Sequence, residues 1–196
     1  MKYSSLQYIT QSQKLHLLED EIKRVLDYGV QWVQLRLKNY DELSEDDFYG
    51  FYEKCGEAAF KIQESFESTF IINDNIKLCQ HLDADGIHLG KKDLDLLEAR
   101  TILGSKIIGA TANDLTDIEN AIEKNADYIG LGPLRETTTK KNLDGILGFN
   151  GYQEIFKKTI DIPVVAIGGI IESDCQQLKE IGLNGIAVSS LLYNHG

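Results

Sequence analysis

Seven short apolar runs in this chain end in residues that a buried strand does not need, and helix-length segments separate them. The runs are QWVQLRLK (31–38), TFIINDN (69–75), DGIHLGKKD (85–93), KIIGATAND (106–114), DYIGLGPLRETTTKK (127–141), PVVAIGG (163–169) and GIAVSS (185–190). Unbroken apolar runs of this length suit parallel strands covered on both faces. When Arg, Lys, Asp, Asn, Thr, Gly and Ser collect at every carboxyl end, the strands converge on one site, as in a β/α barrel.

Helical periodicity over 17–28, 44–66, 94–103, 115–124, 152–158 and 173–181 fills the intervals. With the opening run 6–10 there are eight strand-helix units, which predicts an α/β fold: one TIM-type (β/α)8 barrel over residues 1–196. At 196 residues the chain falls just under the ~200 at which such barrels begin. The final helix is therefore expected to be shortened, since only LLYNHG follows the eighth run. An open doubly wound sheet is the structural alternative, but no G-x-G-x-x-G opens the first unit, where ITQSQKLHLL stands instead.

A formal charge of -11 argues against sequence-independent nucleic-acid binding. Arg36, Lys38, Lys91, Lys92, Arg135, Lys140 and Lys141 all fall near strand ends, so an acidic protein can still hold a locally basic pocket for a small anion. Cys55, Cys79 and Cys175 are scattered, without a C-x-x-C pair, which predicts neither a disulfide framework nor a zinc site. No signal-peptide pattern or membrane-length apolar segment is present, and the expectation is a cytoplasmic protein without membrane partners.

Individual strand ends carry the chemistry. Gln34, Arg36 and Lys38 share one face of their strand with Trp32, so a polar stripe and an aromatic ring point into the barrel. Charge there calls for a partner, and an anionic ligand supplies one. Asp74 and Asp93 end neighbouring runs; as a pair they could hold Mg2+, while spacing alone equally suits turn or cap residues. Thr137, Thr138, Thr139 and Lys140 combine hydroxyls with an ammonium as a phosphate grip would, although a solvated turn has the same composition. Gly168-Gly169 and Ser189-Ser190 end the seventh and eighth runs, where barrels of this kind often bind phosphate. Among the histidines only His88 lies on a strand, and its expected role is packing. The segment 133–151 has no clear periodicity, as in many binding loops.

QLRLK, IINDN, GIHLGKKD, IGATAN, YIGLGPLRETTTKK, VVAIGGI and GIAVSS, in this order and spacing, resemble the thiamine phosphate synthase family, also called thiamine phosphate pyrophosphorylase. The resemblance runs from LQYIT to AVSS. It implies a transferase that joins hydroxymethylpyrimidine diphosphate to thiazole phosphate and releases pyrophosphate, with Mg2+ as cofactor. By motif, Gln34, Arg36, Lys38, Asn73, Thr111 and Lys140 would bind the pyrimidine diphosphate, with Arg36, Lys38, Lys140 and Thr111 catalytic. Asp74 and Asp93 would hold the metal, and Thr137, Thr138, Thr139, Gly169, Ser189 and Ser190 the thiazole phosphate.

Three positions depart from the family pattern: Thr111 for a usual Ser, Asn113 for a common His, and Lys91 for a common Gln. A sister group of thiazole tautomerases uses a His where Asn113 stands, which gives one rival reading. A non-catalytic thiazole phosphate sensor is another. The expected partners are small phosphorylated substrates, and a homo-oligomer is compatible with the sequence.

Overall fold

A computed structural model describes residues 5–37, 45–136 and 145–193, and for 45–49 only the backbone. Eight strands alternate with eight helices: β1 (Leu6–Ile9), α1 (Leu15–Asp27), β2 (Trp32–Leu35), α2 (Glu45–Glu64), β3 (Thr69–Asn73), α3 (Ile76–His81), β4 (Gly86–Leu89), α4 (Leu96–Leu103), β5 (Ile107–Ala112), α5 (Leu115–Glu123), β6 (Tyr128–Leu131), α6 (Gly148–Ile155), β7 (Val164–Ile167), α7 (Cys175–Ile181), β8 (Gly185–Val188) and α8 (Ser190–Tyr193). Every neighbouring pair is parallel, and β8 pairs with β1 through Leu6–Ile186 and Tyr8–Val188, closing the barrel. The eight-fold reading holds, and the final helix is indeed short at four residues.

Sequence periodicity missed α3 because its six residues are too few to show a helical period. Some strand-end polar residues also proved to be caps. Asn75, Asp95 and Asp114 accept the backbone N–H groups of Leu78, Leu97 and Asp117, at 2.9, 2.9 and 2.8 Å, and so satisfy donors that helix starts leave unpaired.

Two apolar layers follow from the strand period of two. Outward residues such as Tyr8, Val33, Leu35, Ile72 and Ile87 pack against helices in the larger core. Inward residues Ile9, Trp32, Ile71, Tyr128, Val165 and Ala187 fill the barrel itself. Trp32 and Tyr128 meet edge to face at 4.8 Å between ring centroids, an arrangement favoured by the charge distribution of the rings. The inward position of Trp32 is the one its shared parity with Gln34 predicts.

The amphipathic face of α1 carries one carboxylate among its apolar residues, Glu21. Buried at 2% exposure, it accepts from the Tyr8 hydroxyl at 2.5 Å and from the backbone N–H groups of Gln11 and Ser12 at 2.7 and 2.8 Å. A buried charge needs such partners, and here they fix the chain leaving β1. Burial first, and then the Glu21 charge, pushes the Tyr8 phenol well above its ordinary pKa, so it remains a donor.

Two rings inside one narrow barrel require small neighbours. A Cβ on Gly109 would lie 2.1 Å from Cζ of Tyr128. Gly109→Ala should therefore cost roughly 3 kcal/mol or prevent folding. Gly50, in α2, has nothing within 4 Å of a built Cβ, and Gly50→Ala should stabilise by about 0.5–1 kcal/mol. Urea denaturation of the two variants checks these opposite signs.

Candidate active site at the carboxyl ends of the strands

Continuing each inward face past the apolar floor leads to polar residues. On β2, Trp32 is followed by Gln34, which is 2% exposed, and then by the half-buried Arg36. The Arg36 backbone is clipped to the end of β1: its N–H donates to Thr10 Oγ1 at 2.9 Å, and its carbonyl accepts from Gln13 Nε2 at 3.2 Å. On β3, Ile71 is followed by Asn73, whose carbonyl accepts from the Tyr52 hydroxyl at 3.1 Å. The Asn73 Nδ2 is buried without a hydrogen-bond partner, as are Gln11 Nε2 and Ser12 Oγ after β1. Buried orphan donors at a barrel mouth are what a bound ligand would satisfy. Sequence reading passed over Gln11 and Ser12, although their place just after the first apolar run was the available signal.

Asp74 follows at φ 63°, a left-handed conformation that turns the chain out of β3, and its N–H donates to the His88 carbonyl on β4 at 3.0 Å. Asp93 lies in the loop after β4, where Oδ2 accepts the Gly90 N–H at 2.6 Å. The two carboxylates thus stand at the exits of adjacent strands, as their sequence positions predicted. Among the described residues no three His, Cys, Asp or Glu side chains gather as a metal cage. A pair of oxygen donors nevertheless fits Mg2+, which usually retains waters and takes further ligands from substrate phosphates.

Beside Asp93, a hollow of about 350 Å³ is lined by Lys91, Thr111 and Asp117 among others. A larger one, about 600 Å³, runs between α6 and α7 along Gln153, Phe156, Ser173 and Gln177. It touches no strand end, and size is outweighed here by position at the carboxyl face, where barrels of this kind place their chemistry.

Two of the cations near the strand ends also tie loops. Lys91 pairs with Asp117 at 3.0 Å, and Asp117 also accepts the Asn113 N–H at 2.8 Å. Arg135, after β6, forks onto Asp174 with contacts of 2.5 and 2.7 Å, donates to the Gly169 carbonyl at 3.0 Å and lies over the Phe149 ring at 5.6 Å. Asp174 also accepts the Ile171 N–H at 2.8 Å. Gly168 and Gly169 adopt φ 87° and 68°, and a Cβ on Gly169 would lie 2.8 Å from Cβ of Arg135. The turn after β7 is therefore pressed against the chain leaving β6, and glycine is required there both for conformation and for space.

Asn113 Nδ2 donates to the Gly132 carbonyl at 2.6 Å, a structural tie between the ends of β5 and β6. Ser189 Oγ donates to the Ile9 carbonyl at 2.7 Å, so its proton helps close β8 onto β1. Ser190 is exposed in the first turn of α8. Lys38, Thr137, Thr138, Thr139 and Lys140 lie outside the described residues.

The hydrogen bonds from Arg135 hold the Asp174 carboxyl below the usual carboxylate range, against an opposing push from burial. A depressed carboxyl pKa adds stability above its unfolded value and loses it as pH falls through the folded value. With Arg135 41% exposed, screening limits the loss in Arg135→Ala to about 1–2 kcal/mol at pH 7. That deficit should shrink as the pH drops through and below the carboxylate range, which urea melts at pH 7 and pH 3 would measure.

Residues 6–192 match the family model described as thiamine monophosphate synthase. The thiamine-phosphate synthase of Flavobacterium johnsoniae is 45% identical over 97% of this chain and 89% of its own length. That of Phocaeicola vulgatus is 39% identical over 97% and 91%. The solved thiamine phosphate pyrophosphorylase of Pyrococcus furiosus superposes with a TM-score of 0.78 at 29% identity, covering 95% of this chain and 85% of that one. With a family match through all eight strands and relatives alike over nearly their whole length, this chain belongs to the thiamine monophosphate synthase family.

Proposed function

We infer that this chain is a thiamine-phosphate synthase, joining hydroxymethylpyrimidine diphosphate to thiazole phosphate with release of pyrophosphate. The observation that carries the reading is the family match over residues 6–192, which runs through all eight strands. In the reaction the C–O bond to pyrophosphate breaks, and the electron pair leaves with the pyrophosphate. The thiazole nitrogen then captures the pyrimidine-methyl cation. No protein nucleophile is needed.

Gln34 and Asn73 would orient the pyrimidine diphosphate, with the orphan Nδ2 of Asn73 available to donate. Arg36, Lys38 and Lys140 would oppose negative charge growing on the leaving group. Asp74 and Asp93 would hold Mg2+, which when bound neutralises the pyrophosphate. Gly169, the hydroxyls of 137–139 and the 189–190 turn would hold the thiazole phosphate. Because the Ser189 proton is directed to Ile9, backbone N–H groups are the better donors at that turn. Holding both substrates close favours capture of the cation over its escape to water. The tautomerase rival depends on a His where Asn113 ties β5 to β6, and no observation favours it.

The reading is tested by supplying both substrates with and without Mg2+. Thiamine phosphate and pyrophosphate should form together, and only with the metal. Binding of thiazole phosphate without any pyrophosphate release would instead establish the sensor. Asp74→Asn should raise the Mg2+ concentration for half-maximal rate about tenfold, and an unchanged metal titration removes Asp74 from the site. Lys140→Ala should lower kcat about 100-fold with the melting temperature retained. Parallel loss of folding would make Lys140 structural.

A further inference from the structure

A line of buried polar groups crosses the barrel interior past the Trp32 and Tyr128 rings and reaches Thr111. Gln7 on β1 is 1% exposed and donates from Nε2 to the Tyr128 hydroxyl at 3.2 Å. That oxygen lies 2.9 Å from Nδ1 of His88, and Nε2 of His88 lies 3.0 Å from Oγ1 of Thr111. Unpaired polar groups at this depth would be costly, whereas in this line each group meets the next. The register builds the path: His88 is beside Gly109, Gly109 beside Tyr128, and Thr111 beside Gly130. Rings on two strands thus pass over glycines on their neighbours. A Cβ on Gly130 would approach Cε1 of His88 to 3.0 Å.

The line has a direction. The Tyr128 oxygen accepts from Gln7 and has one proton to give, and Nδ1 of His88, 2.9 Å away, accepts it when the ring proton sits on Nε2. His88 then carries its own proton on Nε2 and donates it to Thr111 Oγ1. Having accepted there, the threonine hydroxyl turns its own proton toward the barrel mouth. We propose that His88 is a positioning residue, held by Tyr128 and Gln7 in the Nε2–H tautomer, that fixes Thr111 as a hydrogen-bond donor to the pyrimidine diphosphate.

The opposite polarity, with Thr111 donating to His88, would present only lone pairs to a substrate whose leaving oxygens gain negative charge. The inference rests on the proposed site for its substrate, while the tautomer itself does not. It also accounts for Thr111 in place of Ser, since the function depends on a hydroxyl that accepts and donates, which both residues have.

The direct test is 15N NMR of full-length protein carrying 15N-labelled histidine, with His88 assigned by its loss in His88→Gln. An unprotonated Nδ1 and a protonated Nε2 are expected, and the reverse tautomer overturns the proposal whether or not the protein makes thiamine phosphate. In turnover assays, Tyr128→Phe should lower kcat about tenfold with little change in KM. The decisive reading is coupling: in a Thr111→Val background, Tyr128→Phe should have no further effect on kcat. Additive losses would make Tyr128 and His88 merely structural. His88→Gln keeps an amide N–H for Thr111 and should retain more activity than His88→Leu, and equal loss in both counts against the relay. Failure of wild-type protein to form product would strike the proposed function, leaving the tautomer to decide the relay.

Discussion

An eight-stranded barrel encloses just enough room for one set of side chains, and the rest of this structure follows from how that room is divided. Inward positions on six strands hold Ile9, Trp32, Ile71, Tyr128, Val165 and Ala187, an apolar layer against which strands keep their register. The Tyr128 ring fits beside Trp32 only because the neighbouring inward position on β5 is Gly109. Toward the carboxyl end the same faces carry Gln34, Asn73, His88 and Thr111. One strand thus supplies packing at its start and chemistry at its end, with the pleat keeping the two in line.

Electrostatics refine that division. A chain with 31 acidic and 20 basic residues must hold anionic substrates against its own average charge. Part of its basic complement is committed elsewhere: Lys91 to Asp117, and Arg135 to Asp174. Both pairs tie loops at the carboxyl face, giving geometry more than attraction. Lys91 lines the same hollow as Asp93 and Asp117, with Asp117 3.0 Å from its ammonium. Anion binding then depends more on oriented N–H groups and on whichever cations face the mouth.

The barrel was legible because each strand is an unbroken apolar run and each interval is helix-sized; the inward face of Trp32 and Gln34 followed from parity alone. What was not legible depended on contacts distant in sequence. His88 read as a packing residue because nothing nearby in the chain reveals that Tyr128, 40 residues on, and Thr111, 23 residues on, meet its two nitrogens. Arg135 read as pocket charge because Asp174 is 39 residues away. Asp114 and Asn75 end polar runs and are caps, since short polar side chains serve helix starts as readily as ligands. Composition can identify a polar strand end, but only pairing across strands separates a ligand contact from a brace.

The exit of β6 shows why such braces matter. Tyr152 donates to the Leu131 carbonyl at 2.6 Å, Asn113 to that of Gly132, and Leu134 N–H to that of Ile167 at 3.0 Å, before Arg135 reaches Asp174 and Gly169. Leu131, Gly132, Leu134 and Arg135 are thus tied to other segments. Strand β6 also starts at Tyr128, the centre of the buried line to Thr111. The strand is therefore braced at its base and at its end, so a disturbance of either should be felt across the mouth before it is felt in the fold.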